Sequence, residues 1–292
     1  MRIACPMRSR ILSMMLIACC LSVCLIRPAR ADDFTVVKGL AFSETVPALT
    51  LDLYLPKASA DPSPCVIVIQ GGGFRPQNGQ RFKPFAEHLA KHGFTAALIS
   101  YRGSPDHRFR DTLADVKASV RFVRNVAEKY QIDADRIGAA GRSAGGTLAA
   151  LLAVTGDHDD PDSRIQAAVC FAGVFDFVSR FTKQEQLEIQ PNAKKKRKTN
   201  GEWIGPEFSP EDPQWLAASA ITHVDPSDPP ILLLHSRDDS TVPWFQSRDM
   251  HRAMTEAGVD AEIRVYETGG HSVSPKDRNS LDDMVEFFQK RL

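Results

Sequence analysis

The stretch RIGAAGRSAGGTLAALLA, Arg136–Ala153, sets a serine between glycines where a short extended run gives way to an apolar helical pattern. Serine caps helices well, but a cap alone does not require Gly141 two residues before Ser143 and Gly145 two after. The pattern G-x-S-x-G, with a strand before it and a helix after it, fits a serine held on a tight turn with its Oγ exposed. Such a turn tolerates only small neighbours, here Gly141, Ala144, Gly145 and Gly146. The helix N-terminus also favours negative charge developing beside Ser143. Taken by themselves, the five residues can also be read as small residues that permit close helix packing.

Working outward, β-rich runs alternate with helical ones. FTVVKGL and LTLDLYLP read as an opening pair of strands. CVIVIQ (Cys65–Gln70) is a continuous apolar run, as in a strand buried on both faces. TAALISY, RIGAA, IQAAVCFAG, PILLLHS and AEIRVYE are further strands. Helical patterns cover 82–92, 111–130, 245–257 and 280–291; in the second, Leu113, Val116, Val120 and Val123 recur on one face. This alternation predicts an α/β fold with a mostly parallel central sheet and helices on both faces.

Three loops follow three of these strands with chemistry to offer. QGGGF (Gln70–Phe74) places backbone N–H groups where no side chain obstructs them, as an oxyanion site needs. A phosphate loop would require a Lys-Ser/Thr pair that is missing here. HSRDDSTVPW (His235–Trp244) supplies Asp238 and Asp239, and YETGGHSV (Tyr266–Val273) supplies His271. A lone loop Asp is ordinarily solvated and a lone His ordinarily structural. Serine, aspartate and histidine in that order, each just after a parallel strand, converge on the sheet edge where sites form.

With those motifs the chain resembles the α/β-hydrolase superfamily, specifically its bacterial esterase and lipase branch with feruloyl-esterase-like and acetylxylan-esterase-like proteins. The resemblance extends over Phe34–Leu292 and rests on QGGGF, GRSAGG, DDSTVP and GGHSV in that order. It implies Ser143 as nucleophile, His271 as general base and Asp239 as the acid. The family's D-x-x-V-P pattern, counted back from Val242 and Pro243, selects Asp239 over Asp238. Asp176, after the sixth strand, is a rival position for the acid. The implied oxyanion donors are the amides of Ala144 and of Gly72 or Gly73. Two departures stand out: Gln70 replaces a histidine common before the glycines, which puts the anchoring of that loop in question, and Ser236 replaces a common glycine after His235. The implied chemistry is ester hydrolysis through an acyl-enzyme, with no metal or organic cofactor. The implied partner is a small ester or an acylated carbohydrate. A lipase or peptidase of the same fold, or a member that only binds, are the alternatives. The family sheet order also sets the strands of Cys65 and Cys170 two spacings apart, about 9.6 Å and too far for a disulfide, so both thiols are expected free.

The rest of the chain sets boundaries. Lys plus Arg equals Asp plus Glu at 36 each, so charge points to neither nucleic acid nor an anionic membrane. Arg8 and Arg10, the apolar run Ile11–Ile26 and Ala29-Arg30-Ala31 read as a signal peptide over 1–31, leaving 32–292 as the hydrolase domain, exported to the periplasm or beyond. LIAC (Leu16–Cys19) offers the competing reading of a lipidated Cys19, a route to stable membrane attachment, and an uncleaved anchor is a further alternative. Four of six cysteines (Cys5, Cys19, Cys20 and Cys24) fall in this leader. GDHDDPD (156–162) lacks the spacing of a calcium loop and reads as solvated. Between the sixth and seventh strands, 177–230 is a long polar, Pro-containing insertion, cap-like and laid over the sheet's edge, with Lys194–Lys198 (KKKRK) expected in a solvated loop. Its Trp203, Phe208 and Trp215, with Trp244 and Phe245, are candidate faces for a sugar ring or phenolic acyl group.

Overall fold

Period-two alternation along the central strands divides the core into two halves. In the strand Ser63–Ile69, Cys65, Ile67 and Ile69 face one apolar cluster while Val66 and Val68 face the other. The computed structural model describes residues 1, 34–43, 49–57, 61–156, 160–277 and 279–292. Beyond Met1, the expected leader, with the Cys19 reading, lies outside the described residues, as do Asp157, His158 and Asp159 of the acidic stretch.

Among the described residues eight strands form one sheet: β1 (Phe34–Ala41), β2 (Thr50–Pro56), β3 (Ser63–Ile69), β4 (Thr95–Ile99), β5 (Ile132–Arg142), β6 (Ala167–Phe171), β7 (Ile231–Ser236) and β8 (Ala261–Tyr266). Their order is β1-β2-β4-β3-β5-β6-β7-β8. β2 pairs antiparallel with β1 and β4, and the remaining neighbours are parallel. This is the α/β fold expected. β5 separates Cys65 on β3 from Cys170 on β6, and both thiols are free and buried.

Helices α1 (Lys83–Lys91), α2 (Phe109–Asn125), α3 (Ala127–Tyr130), α4 (Ala144–Thr155), α5 (Phe177–Thr182), α6 (Gln184–Glu188), α7 (Ala193–Ile204), α8 (Pro213–Ala217), α9 (Phe245–Glu256) and α10 (Ser280–Arg291) connect and cover the sheet. Phe85 and Leu89 of α1 and Met284 and Phe288 of α10 cover one face. Val116, Val120 and Val123 of α2, with α4 and Met250 and Met254 of α9, cover the other. The long helix expected over 111–130 breaks at Val126, where α2 ends and α3 begins. α4 is buried from Ala144 to Val154. A helix apolar all round belongs in the interior, so the turn ahead of it is held from both sides.

The insertion corrects two expectations. Lys194–Lys198 lie in α7, where a solvated loop was expected. Lysine and arginine are good helix formers, and Trp203 and Ile204 at its C-terminal end are fully buried in the α2/α4 cluster. Trp203 and Trp215 are therefore core residues with no exposed face for a sugar. Trp203 donates from Nε1 to Thr112 Oγ1 at 3.0 Å and stacks on Phe74 at 3.8 Å. The insertion shares the main core at the C-terminal edge of the sheet.

Candidate active site

At the end of β5 the chain turns so sharply that Ser143 takes φ 58° and ψ −124°, a region non-glycine residues rarely adopt. Its amide is held by Phe171 O at 2.8 Å. The neighbouring backbone leaves no room for side chains: a Cβ on Gly145 would lie 2.0 Å from Ile69 O. The glycines of the motif thus allow α4 to approach the end of β3 closely while the serine hydroxyl stays outside.

His271 sits in a short helical turn after β8 and reaches both partners. Its Nε2 lies 2.8 Å from Ser143 Oγ and its Nδ1 2.8 Å from Asp239 Oδ2. A carboxylate on Nδ1 assigns the ring proton there and leaves Nε2 free to accept from the serine. Asp239 is buried. Its Oδ1 accepts from the amides of Thr241 (2.8 Å) and Val242 (3.0 Å). Burial alone would push this carboxyl up. Hydrogen bonds from His235 and His271, and their charge, outweigh it and hold the carboxyl well below the usual range.

The loop after β3 adjoins the nucleophile. A Cβ on Gly71 would lie 2.1 Å from Arg142 O and 3.1 Å from Ser143 Cβ, so only glycine permits this approach. Gly72 and Gly73 follow, Gly73 at φ +65°. Ala144, first residue of α4, has an amide with no acceptor inside its own helix. Gln70 resolves how the loop is anchored: its side chain donates to Gln77 Oε1 and accepts from Arg81 N at 2.8 Å, while Tyr101 OH donates to its carbonyl at 2.6 Å. A buried amide here does the tethering expected of a histidine.

Of the other carboxylates, Asp176 caps α5, accepting from Val178 N and Ser179 N, and so serves the helix. Asp238 accepts from Gly270 N at 2.8 Å and Gly269 N at 3.3 Å, pinning the turn that carries His271. Sequence reasoning weighed Asp238 only as a rival acid; adjacency to Asp239 gave no hint of this second task. It also passed over His235. That ring is fully buried, with Nε2 2.9 Å from Val242 O and 3.3 Å from Asp239 Oδ2, and Nδ1 2.7 Å from Ser247 Oγ. The carbonyl partner assigns the proton to Nε2, so His235 is a further donor to the acid. Arg180 carried no sequence signal. It is buried on α5 and donates to Gln190 Oε1 at 2.9 Å and to Thr241 O at 2.7 Å. Ser236 Oγ is buried without a partner, and a Cβ on Gly269 would lie 2.8 Å from it. Trp244 lies under the Arg237 guanidinium at 4.6 Å.

Residues 51–254 match the BD-FAE family model. A probable carboxylic ester hydrolase of Mycobacterium tuberculosis, LipM, is 32% identical over 198 residues, covering 64% of this chain and 43% of the relative. The chain spans about half the length of the curated relatives it matches. Among solved structures, a truncated carbohydrate esterase from gut microbiota superposes with TM-score 0.77 at 26% identity, over 90% of this chain and 99% of that one. Esterase 2 of Thermogutta terrifontis, in a form phosphonylated by sarin, superposes with TM-score 0.70 at 26% identity, over 90% and 95%.

Proposed function

Because the chain belongs to the BD-FAE family of α/β-hydrolase esterases, we propose that it is a serine carboxylesterase that removes acetyl or hydroxycinnamoyl groups from carbohydrate. The reading rests on the unbroken relay from Asp239 through His271 to Ser143, with both links at 2.8 Å. Ser143 Oγ attacks the ester carbonyl as His271 Nε2 takes its proton. Asp239 orients the ring and stabilises the imidazolium. The amides of Ala144 and of Gly72 or Gly73 receive the oxyanion. His271 returns the proton to the departing sugar alcohol, and water then repeats the sequence on the acyl-enzyme.

The carbohydrate part of the reading draws on the gut carbohydrate esterase that shares the fold. We place the mature chain at 32–292, exported after loss of the leader; intact mass of secreted protein tests this, and a diacylglycerol adduct on Cys19 would overturn it. For the activity, the test is hydrolysis of p-nitrophenyl acetate and methyl ferulate, with a fluorophosphonate adduct mapped to Ser143. Turnover is expected to fall steeply beyond about four to six acyl carbons, because a small acyl pocket must overpack to admit more. Ser143→Ala and His271→Ala should each lower kcat by about 10⁴-fold. Interfacial activation on emulsified triglyceride would make the protein a lipase, and an unmodified Ser143 in an active enzyme would remove it as nucleophile.

A further inference from the structure

Ser143 follows β5 and His271 follows β8, and β6 and β7 stand between those two strands. Three strand spacings are about 14 Å, so no ladder hydrogen bond sets the serine turn directly against the histidine turn. Asp238 and Asp239 do hold the histidine turn, through the amides of Gly269 and Gly270 and through His271 Nδ1. Both belong to the loop after β7, however, and neither reaches the serine's own strand. Apart from the relay itself, one hydrogen bond among the described residues joins the two turns: Arg142 Nη1 donates to Ser272 O at 3.0 Å. Arg142 immediately precedes the nucleophile, and Ser272 immediately follows the base.

The surroundings of Arg142 suit that task. Its guanidinium carbon lies 5.2 Å from the centroid of the Phe82 ring and 5.8 Å from that of Phe85, within cation–π range of both. Burial pushes the guanidinium down, and no acidic group opposes the shift. Arg102 and Arg264, by contrast, pair with the buried carboxylates of Asp115 and Asp283. Arg142 has two rings and a backbone carbonyl instead. It also meets the oxyanion loop: a Cβ on Gly71 would lie 2.1 Å from Arg142 O. Arg81, next to Phe82, donates its amide to Gln70 Oε1 at 2.8 Å, at the start of that loop. One residue thus adjoins all three parts of the catalytic machinery.

Packing alone does not fix the histidine turn. Val273 is buried, and its carbonyl accepts from Ser280 Oγ at 2.5 Å. Yet Ser272, Ser274 and Lys276 line a cavity of about 490 Å³ together with Phe85 and Arg142, so the turn has space into which it can shift. We infer that Arg142 is a positioning residue whose hydrogen bond to Ser272 O holds His271 Nε2 against Ser143 Oγ while the proton passes between them. This rests on the esterase reading and adds a tether from the nucleophile's side to those from the acid loop. Arginine suits the role because its planar fork, stacked on aromatic faces, loses less freedom per hydrogen bond than a lysine ammonium does.

The experiment measures kcat and KM on p-nitrophenyl acetate, the rate of Ser143 phosphonylation by a fluorophosphonate, and the melting temperature. It uses full-length wild type, Arg142→Met and Arg142→Lys. Methionine keeps an apolar stem over the two rings and removes every donor. Its kcat should fall by about 10- to 100-fold, the scale of an ångström of misplacement at reacting groups, with KM within about twofold. Phosphonylation should slow in parallel, since it needs the same proton acceptor. The melting temperature should stay within about 3 °C of wild type, as for a substitution outside the core. Arg142→Lys, which retains a charged donor, should recover at least about fivefold of the lost kcat. An Arg142→Met kcat within about threefold of wild type, a loss confined to KM, or a lysine variant no faster than the methionine one overturns the inference. So does a kcat loss accompanied by a large fall in melting temperature in both variants, which would make the role structural. A wild type that fails to hydrolyse p-nitrophenyl acetate would instead overturn the esterase reading.

Discussion

Replacing Asp239 by asparagine should abolish most turnover while leaving the fold intact, and the hydrogen bonds around the carboxylate say why. Oδ1 accepts from two backbone amides, Thr241 N at 2.8 Å and Val242 N at 3.0 Å. Backbone donors cannot reverse, so the asparagine oxygen must occupy that site and its NH₂ must take the place of Oδ2. There it faces His271 Nδ1, 2.8 Å away in the native protein. The NH₂ donates to Nδ1, the ring proton moves to Nε2, and Nε2 turns a hydrogen toward Ser143 Oγ where a lone pair is needed. The enzyme then holds the wrong tautomer, a defect worth about 10⁴ in kcat, or about 5.4 kcal/mol of transition-state stabilisation at 1.36 kcal/mol per decade. KM should change little, since the interaction is made in the transition state. His235 keeps Val242 O at 2.9 Å as acceptor, so its ring is not left unpaired. Asp238→Asn provides the contrast. One side-chain oxygen can still accept from Gly270 N, at 2.8 Å in the native protein, and the weaker 3.3 Å bond to Gly269 is lost; kcat should fall by no more than about tenfold. Steady-state kinetics on p-nitrophenyl acetate, with melting curves for both variants, decides the matter. Comparable losses in the two variants, or an Asp239→Asn kcat within tenfold of wild type, would refute the assignment of the acid and the argument about amide orientation.

Gly71→Ala should cost activity without touching a catalytic atom: its methyl would lie 2.1 Å from Arg142 O, so either the loop or the serine turn must move, and kcat should drop by about 10²-fold, as for misplaced reacting groups. Acid stability should carry the mark of Asp239. Its folded pKa lies below the unfolded value of about 3.9, so the ionised carboxylate stabilises the fold above that value and the contribution is lost as pH falls through the folded one. The urea-midpoint advantage of wild type over Asp239→Asn should accordingly shrink between about pH 5 and pH 2; an advantage that grows on acidification contradicts the sign. Cys65 and Cys170 are fully buried, and burial pushes both thiols far up. Peptide mapping after iodoacetamide should find both unmodified in the native protein and alkylated after denaturation. Rapid labelling of either residue under native conditions would mean that the core around it opens.

Local physics made much of this molecule readable in advance. Alternating strand and helix periods specify a parallel, covered sheet. G-x-S-x-G between a strand and an apolar helix specifies a strained turn around Ser143. The D-x-x-V-P pattern implied by the family resemblance selects Asp239 over Asp238, and the folded chain supplies its physical reason: the acid's backbone donors, Thr241 N and Val242 N, are two and three residues away. Other features depend on groups that meet only after folding. Ser143 and His271 touch across 128 positions of sequence, and Gln246 donates to Gln186 across 60. The helical insertion was invisible because its helices are 5 to 12 residues long. Apart from α6, they contribute one or two large side chains apiece, Trp203 and Trp215 among them, to a core that α2, α4 and the sheet have already built. Such segments need no apolar period of their own. Tertiary structure likewise set His235 against the acid, Asp238 against the amides of Gly269 and Gly270, and Gln70 in the role of loop anchor, because a buried polar group takes whichever partner the packed chain brings within reach.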